Sequence, residues 1–248
     1  MQARINPSLA CFPSLSFERA TERVVAGVEE GVLGRLEASV IQLVPQCYGI
    51  LDEQVCERVR ALAPGRELRL HANVRMHDKR IMADLSGLHL FPSYFERLRA
   101  LNAFLSAPVY TAHAGRRSEA SFTGLLRNAQ ELSDTMGCVV GIEGHYPTPH
   151  NTFLVSGWVE YRRLFESNQH YVLDLSHIHI LACQSHERDD GLLREMLASP
   201  RCVEVHLSSN DGKSDSHFSL EEEPWWFHLL QHAHPDAVFF TEGRASRR

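Results

Sequence analysis

The chain has 248 residues, 44% of them hydrophobic and 23% charged, with 31 acidic side chains against 25 lysines and arginines and a formal net charge of −6. That apolar fraction excludes wholesale disorder, the length can bury a full core, and the acidic balance argues against a protein that grips nucleic-acid backbones. No apolar run approaches the roughly 20 residues of a spanning helix. The opening MQARINPSLACFPSL has no basic segment followed by a long apolar stretch, so neither a membrane partner nor a signal peptide is expected. Six scattered cysteines without a CxxC pair (Cys11, Cys47, Cys56, Cys138, Cys183, Cys202) fit small core thiols in a reducing compartment, which makes a cytoplasmic location the default.

In chain order, an apolar run predicts a strand over 3–10, followed by a helical pattern over 16–30 and a strand over 38–44. A helix over 53–63 carries Val55, Val59 and Leu62 on one face and leads into a strand over 67–72. The helix over 93–105 opens with Ser93 and Glu96 as a capping box and aligns Phe95, Leu98, Leu101 and Leu105. Strands at 109–114, 138–144, 171–177, 202–208 and 237–243 then alternate with helices at 118–136, 156–167, 189–198 and 224–232. Ser246 to Arg248 read as a frayed tail. Eight strand–helix units in 248 residues average 31 residues each, which predicts an α/β fold with a parallel sheet: a single (β/α)8 TIM barrel forming one domain over 1–248. The rival is a doubly wound open sheet, but the first strand lacks a GxGxxG turn.

In a barrel the site forms at the C-terminal ends of the strands. Those ends carry His71, His113, Glu143, Asp174 with His177, His206 and Glu242, and the loop after the seventh strand adds Asp215 and His217. Each residue closes a run that would otherwise be core. Any one histidine here reads as a hydrogen-bonded strand-end residue; nine imidazoles and carboxylates on one face need compensation, which divalent metal provides.

The segments RLHAN, YTAHAG, GIEG, LDLSH, VHLSSNDGKSDSH and FTEG, spanning about residues 67–244, resemble the xylose isomerase-like barrel superfamily. That family contains sugar and sugar-phosphate isomerases and epimerases, and endonuclease IV. The resemblance implies that Glu143 bridges metals, that His71 and His113 complete one site, and that Asp174, His206 and Glu242 complete a second. His177, Asp215 and His217 match the third site of trinuclear members, whereas single-metal members match only at Glu143, Asp174, His206 and Glu242. It also allows a homo-oligomer, since many relatives pair. Where many relatives follow D-x-H with Gly-x-Gly, this chain reads FSLEEEPWW, so the loop after the seventh strand is expected to be rebuilt. A more distant similarity is to multinuclear iron oxidases that modify peptides.

The leading expectation is an enzyme that isomerises or epimerises a small hydroxy-carbonyl substrate, with Glu143 and Glu242 exchanging the proton and His177 steadying a substrate oxygen. One manganese, magnesium or cobalt ion would serve it. Arg75, Lys213 and Arg244 are candidates to hold a substrate phosphate or carboxylate, with surface solvation as the plain alternative. The alternatives are a zinc-dependent phosphoester hydrolase, an iron-dependent oxidase, both multinuclear, and a non-catalytic metal-binding module. Tyr146 is a candidate pocket wall, and Trp225 with Trp226 forms either a lid or packing. His145, His179 and His186 are pocket candidates without an assigned role.

Overall fold

The computed structural model describes residues 4–245, so the start of the first predicted strand and the tail from Ser246 lie outside the described residues. The strands are β1 (Ile5–Pro7), β2 (Val28–Glu30), β3 (Gly34–Leu36), β4 (Val40–Leu43), β5 (Glu67–His71), β6 (Val109–His113), β7 (Val139–Glu143), β8 (Tyr171–Asp174), β9 (Cys202–Leu207) and β10 (Val238–Thr241). β1 and β4 to β10 form one eight-stranded parallel sheet in which β4 to β10 follow chain order and β1 pairs with β10. Consecutive order around the sheet excludes the doubly wound alternative and gives a nearly closed (β/α)8 barrel. All eight barrel strands fall within the runs predicted from sequence.

The last seam, between β1 and β4, is bridged by side chains instead of a backbone ladder. Asn6 Oδ1 accepts from the backbone nitrogens of Ser39 (2.7 Å) and Val40 (3.1 Å), while its Nδ2 donates to the Phe239 carbonyl at 3.1 Å. Ser8 donates to Gln42 Oε1 across the same seam at 2.6 Å. Two buried amides thus stand in for the missing ladder.

The helices are α1 (Phe17–Val25), α2 (Glu53–Leu62), α3 (Pro92–Leu105), α4 (Phe122–Met136), α5 (Trp158–Glu166), α6 (Leu175–Ser185) and α7 (Asp190–Ala198). Each turns an apolar face to the barrel, as Leu98, Leu101 and Leu105 do on α3. Four expectations are corrected. The 16–30 helix stops at Val25, because Gly27 at φ +91° turns the chain into the antiparallel β2–β3 hairpin. The capping box of Ser93 and Glu96 does not form, because Pro92 already occupies the first turn and Phe91 is the cap. The strand at 171–177 ends at Asp174, whose Oδ1 accepts from the backbone nitrogens of Ser176 (2.7 Å) and His177 (3.1 Å) and so starts α6. The 224–232 helix is a short 3-10 segment, Phe227–His232.

Four cysteines are buried as expected, but Cys138 is half-buried and Cys183 is exposed. No helix among the described residues is long and apolar enough to cross a membrane.

Candidate metal centre

Parallel register brings the strand-end residues to one level: His113 pairs with Glu143 across β6 and β7, and Asp174 with His206 across β8 and β9. With Glu242 after β10, they converge on the barrel axis, and Glu143, Asp174, His177, His206 and Glu242 are all buried. Glu143 is the hub. Its Oε2 lies 3.4 Å from His206 Nδ1 and 3.7 Å from His71 Nε2, and its Oε1 lies 3.5 Å from His113 Nε2 and 3.7 Å from His177 Nδ1.

Three sets of ligand atoms lie within 4.8 Å of one another: His71, His113 and Glu143; Glu143, Asp174 and His177; and Asp174, His206 and Glu242. Asp215 stands between His177 Nε2 (3.4 Å) and His217 Nε2 (3.0 Å), and His217 Nδ1 reaches Glu242 at 3.6 Å. All nine residues singled out in the sequence therefore meet. The second set differs from the grouping implied by the resemblance, since it places His177 with Glu143 and Asp174.

The donor set fits a divalent cation on an independent ground. Glu143 Oε2, His206 Nδ1 and His217 Nδ1 are buried without a hydrogen-bond partner, an arrangement that is costly unless a cation meets them. The far sides of the rings are fixed as ligating imidazoles require. His71 Nδ1 pairs with the Thr111 hydroxyl at 2.9 Å, and His113 Nδ1 faces Asp84 at 3.3 Å. His206 Nε2 faces Glu204 at 3.1 Å. His177 Nδ1 donates to the Gly144 carbonyl at 2.9 Å, which leaves Nε2 as the nitrogen that faces Asp174 and Asp215. Gly144 is required here: a Cβ would lie 2.3 Å from the Tyr161 hydroxyl that packs beneath it.

Sequence reasoning missed Asp84 and Glu204. Glu204 was legible, since alternation along CVEVHL puts it on the same inward face as His206. Asp84 lies in the long segment after β5, held by Asn73 at 2.7 Å, and no local pattern marks it.

The remaining candidates separate. Arg75 donates to the carbonyls of His77 and Asp78, within its own loop. Lys213 is exposed in the NDG turn, and Arg244 is exposed two residues beyond Glu242. The Tyr146 ring stands 4.9 Å from that of His177, as a pocket wall would. His145 stacks between His113 (4.9 Å) and Phe153 (4.1 Å), with its Nε2 unpartnered. Trp226 is buried, and Trp225 donates to His179 Nδ1 at 3.0 Å, so both are packing and not a lid. His186 is exposed at the end of α6.

Burial and the neighbouring imidazoles hold His71 well below its ordinary range. For three other rings the carboxylates overcome the opposing effect of burial: His113 is raised to about 9 by Glu143 and Asp84, His206 to about 10 by Glu242, Glu143 and Glu204, and His217 to about 9 by Asp215 and Glu242. These raised values mean that the metal-free centre holds protons that a metal must displace. A raised folded-state value contributes stability that is complete below the unfolded value near 6.5 and is lost as pH climbs through the folded one. Chelator-treated protein should therefore show a falling Tm between about pH 7 and pH 10, and adding metal at pH 7 should release protons. A calorimetric Tm that is flat across that range would show that the three rings are neutral.

No protein-family model matches the chain, and no curated protein matches it in sequence. Solved structures do match in shape. A D-tagatose 3-epimerase-like protein is 12% identical, covering 97% of this chain and 91% of its own, with a TM-score of 0.68. An AP endonuclease of family 2 from Brucella melitensis is 16% identical over 99% and 95%, with a TM-score of 0.64. A xylose isomerase domain-containing protein from Salmonella typhimurium LT2 is 14% identical over 100% and 90%, with a TM-score of 0.63. The fold shared with these proteins is the (β/α)8 barrel. The match extends over nearly the whole length of these proteins, so the resemblance first seen at the strand ends holds for the architecture that carries them.

Proposed function

We propose that this xylose isomerase-like barrel is a metal-dependent enzyme with a multinuclear centre that acts on a small-molecule substrate. The observation that carries this reading is the environment of Glu143, whose two oxygens face the inward nitrogens of three imidazoles, those of His71, His113 and His206, so that it suits a bridging ligand better than a free proton carrier. Glu143 and Asp174 each serve two ligand sets. Closely spaced divalent metals supply an activated water and charge stabilisation of a leaving oxygen. Hydrolysis, of a phosphoester for example, would need only water as co-reactant, and oxidation would add dioxygen. The chain's own residues fix the ligands: Thr111, Asp84 and Glu204 orient His71, His113 and His206 from behind, while Tyr146 walls His177. A net charge of −6 opposes a nucleic-acid duplex as substrate.

A second reading, isomerisation or epimerisation of a hydroxy-carbonyl compound, rests on a different contact. His206 Nδ1 stands 3.4 Å from Glu143 and 3.7 Å from Glu242, so the two carboxylates flank one position, as a proton-exchanging pair would. Solved structures of the same fold include epimerases.

Metal content per chain, measured by mass spectrometry on protein purified anaerobically without chelator, separates the two. Two or three ions are expected, and His71→Ala should lose one while the set of Asp174, His206 and Glu242 keeps its own. Zinc would assign hydrolysis and iron oxidation. A single manganese, magnesium or cobalt ion, unchanged by His71→Ala, would overturn the multinuclear reading in favour of the isomerase.

A further inference from the structure

The loop leaving β1 and the turn leaving β10 meet beside the candidate centre. Ala245 donates its backbone N–H to the Cys11 carbonyl at 3.0 Å, Arg244 donates to the His217 carbonyl at 2.9 Å, and the Cys11 thiol donates to the Thr241 carbonyl at 3.3 Å. Between these segments and α1 lies a cleft of about 870 Å³ whose lining includes Phe12, Arg19, Glu22, Arg23 and Arg244. Arg19 and Arg23 stand four residues apart on α1, where like charges face each other unfavourably. The guanidinium of Arg23 lies over the Phe12 ring, 5.4 Å from its centroid, which orients its planar fork. The arginines that form ion pairs among the described residues are Arg35, Arg58, Arg69, Arg97, Arg117 and Arg162, none of which lines the cleft. Three guanidinia therefore face a single carboxylate, Glu22, and leave a local excess of two positive charges in a protein that is acidic overall.

We propose that this cleft binds the phosphoryl group of the substrate. A phosphate dianion matches the two-charge excess and the bidentate geometry of guanidinium forks. Arg244 places the cleft two residues from Glu242 and in backbone contact with His217, so a small molecule anchored there presents its other end to the centre. This rests on the reading of that centre as the site of reaction, and it narrows the substrate class to small phosphorylated compounds.

The test is isothermal titration of the purified full-length chain with inorganic phosphate, with acetate as a monoanionic comparison. Phosphate should bind, and Arg19→Ala combined with Arg23→Ala should weaken it by about tenfold or more. Arg127→Ala with Arg194→Ala, which removes the same charge from exposed positions on α4 and α7, should leave it unchanged. Arg19 and Arg23 are exposed on α1, where alanine is well tolerated. In Glu143→Ala, phosphate binding should persist. Loss of binding in Glu143→Ala with retention in the Arg19/Arg23 variant would place the phosphate on the centre and overturn the proposal, as would acetate binding as tightly as phosphate. The metal content of the same Glu143→Ala sample reports on the centre separately, so a failed metal reading and a failed cleft are distinguishable.

Discussion

Replacing Glu143 with alanine should reduce bound metal to at most one ion per chain and lower kcat by about 1000-fold, the scale on which loss of a charge-stabilising group acts. Glu143 belongs to two of the three ligand sets, and the set it leaves intact is Asp174, His206 and Glu242. The substitution also removes the buried carboxylate that faces His71, His113, His177 and His206. Those rings would then lie close together with less compensating charge, so the metal-free variant should favour neutral imidazoles. Asp174→Ala should also disturb two sets, but it carries a second defect, because the same carboxylate caps α6. Glu143→Ala is therefore the cleaner measurement. A variant that keeps its full metal content would show that Glu143 is not a ligand.

The second large effect is expected beneath the centre, inside the barrel. Arg69 Nη1 meets Glu204 Oε1 at 3.0 Å, with the Glu204 side chain fully buried and that of Arg69 nearly so. Gln42 adds a donor to Glu204 Oε2 at 3.3 Å, and the same oxygen lies 3.1 Å from His206 Nε2. Arg69 and His206 hold Glu204 below the ordinary carboxylate range, against a burial that would raise it. Arg69→Ala would leave that carboxylate without its guanidinium partner, at a cost of about 3–5 kcal/mol. Glu204 should then take up a proton and cease to act as an acceptor for His206, which would weaken metal binding by roughly 10- to 100-fold. Urea unfolding gives the first quantity and metal titration the second. Arg69→Met combined with Glu204→Gln should recover much of the stability without the metal affinity. A loss below about 1 kcal/mol in Arg69→Ala would mean that Glu204 is already neutral or reached by water.

The sequence by itself determined the barrel and the nine residues that meet at its candidate centre. Strand runs such as YVLD and CVEVHL are local signals of alternation and β-branching, and their regular spacing leaves few ways to arrange eight parallel strands. The candidate centre was legible because His71, His113, Glu143, Asp174, His206 and Glu242 each end or directly follow such a run, where an imidazole or carboxylate is out of place unless something compensates it. Tertiary structure alone decided the rest, because it depends on contacts between segments far apart in the chain. The β2–β3 hairpin lies inside what reads as a continuing helix, and only the turn at Gly27 and the pairing of the two strands reveal it. Asp84 reaches His113 from a segment with no periodicity of its own. The seam closed by Asn6 joins residues 33 positions apart through a side chain, which no local propensity encodes. The arginine cleft depends on α1 and the turn after β10 being brought together by closure of the barrel, and charge patterning along the chain cannot show which residues will face one another across that seam.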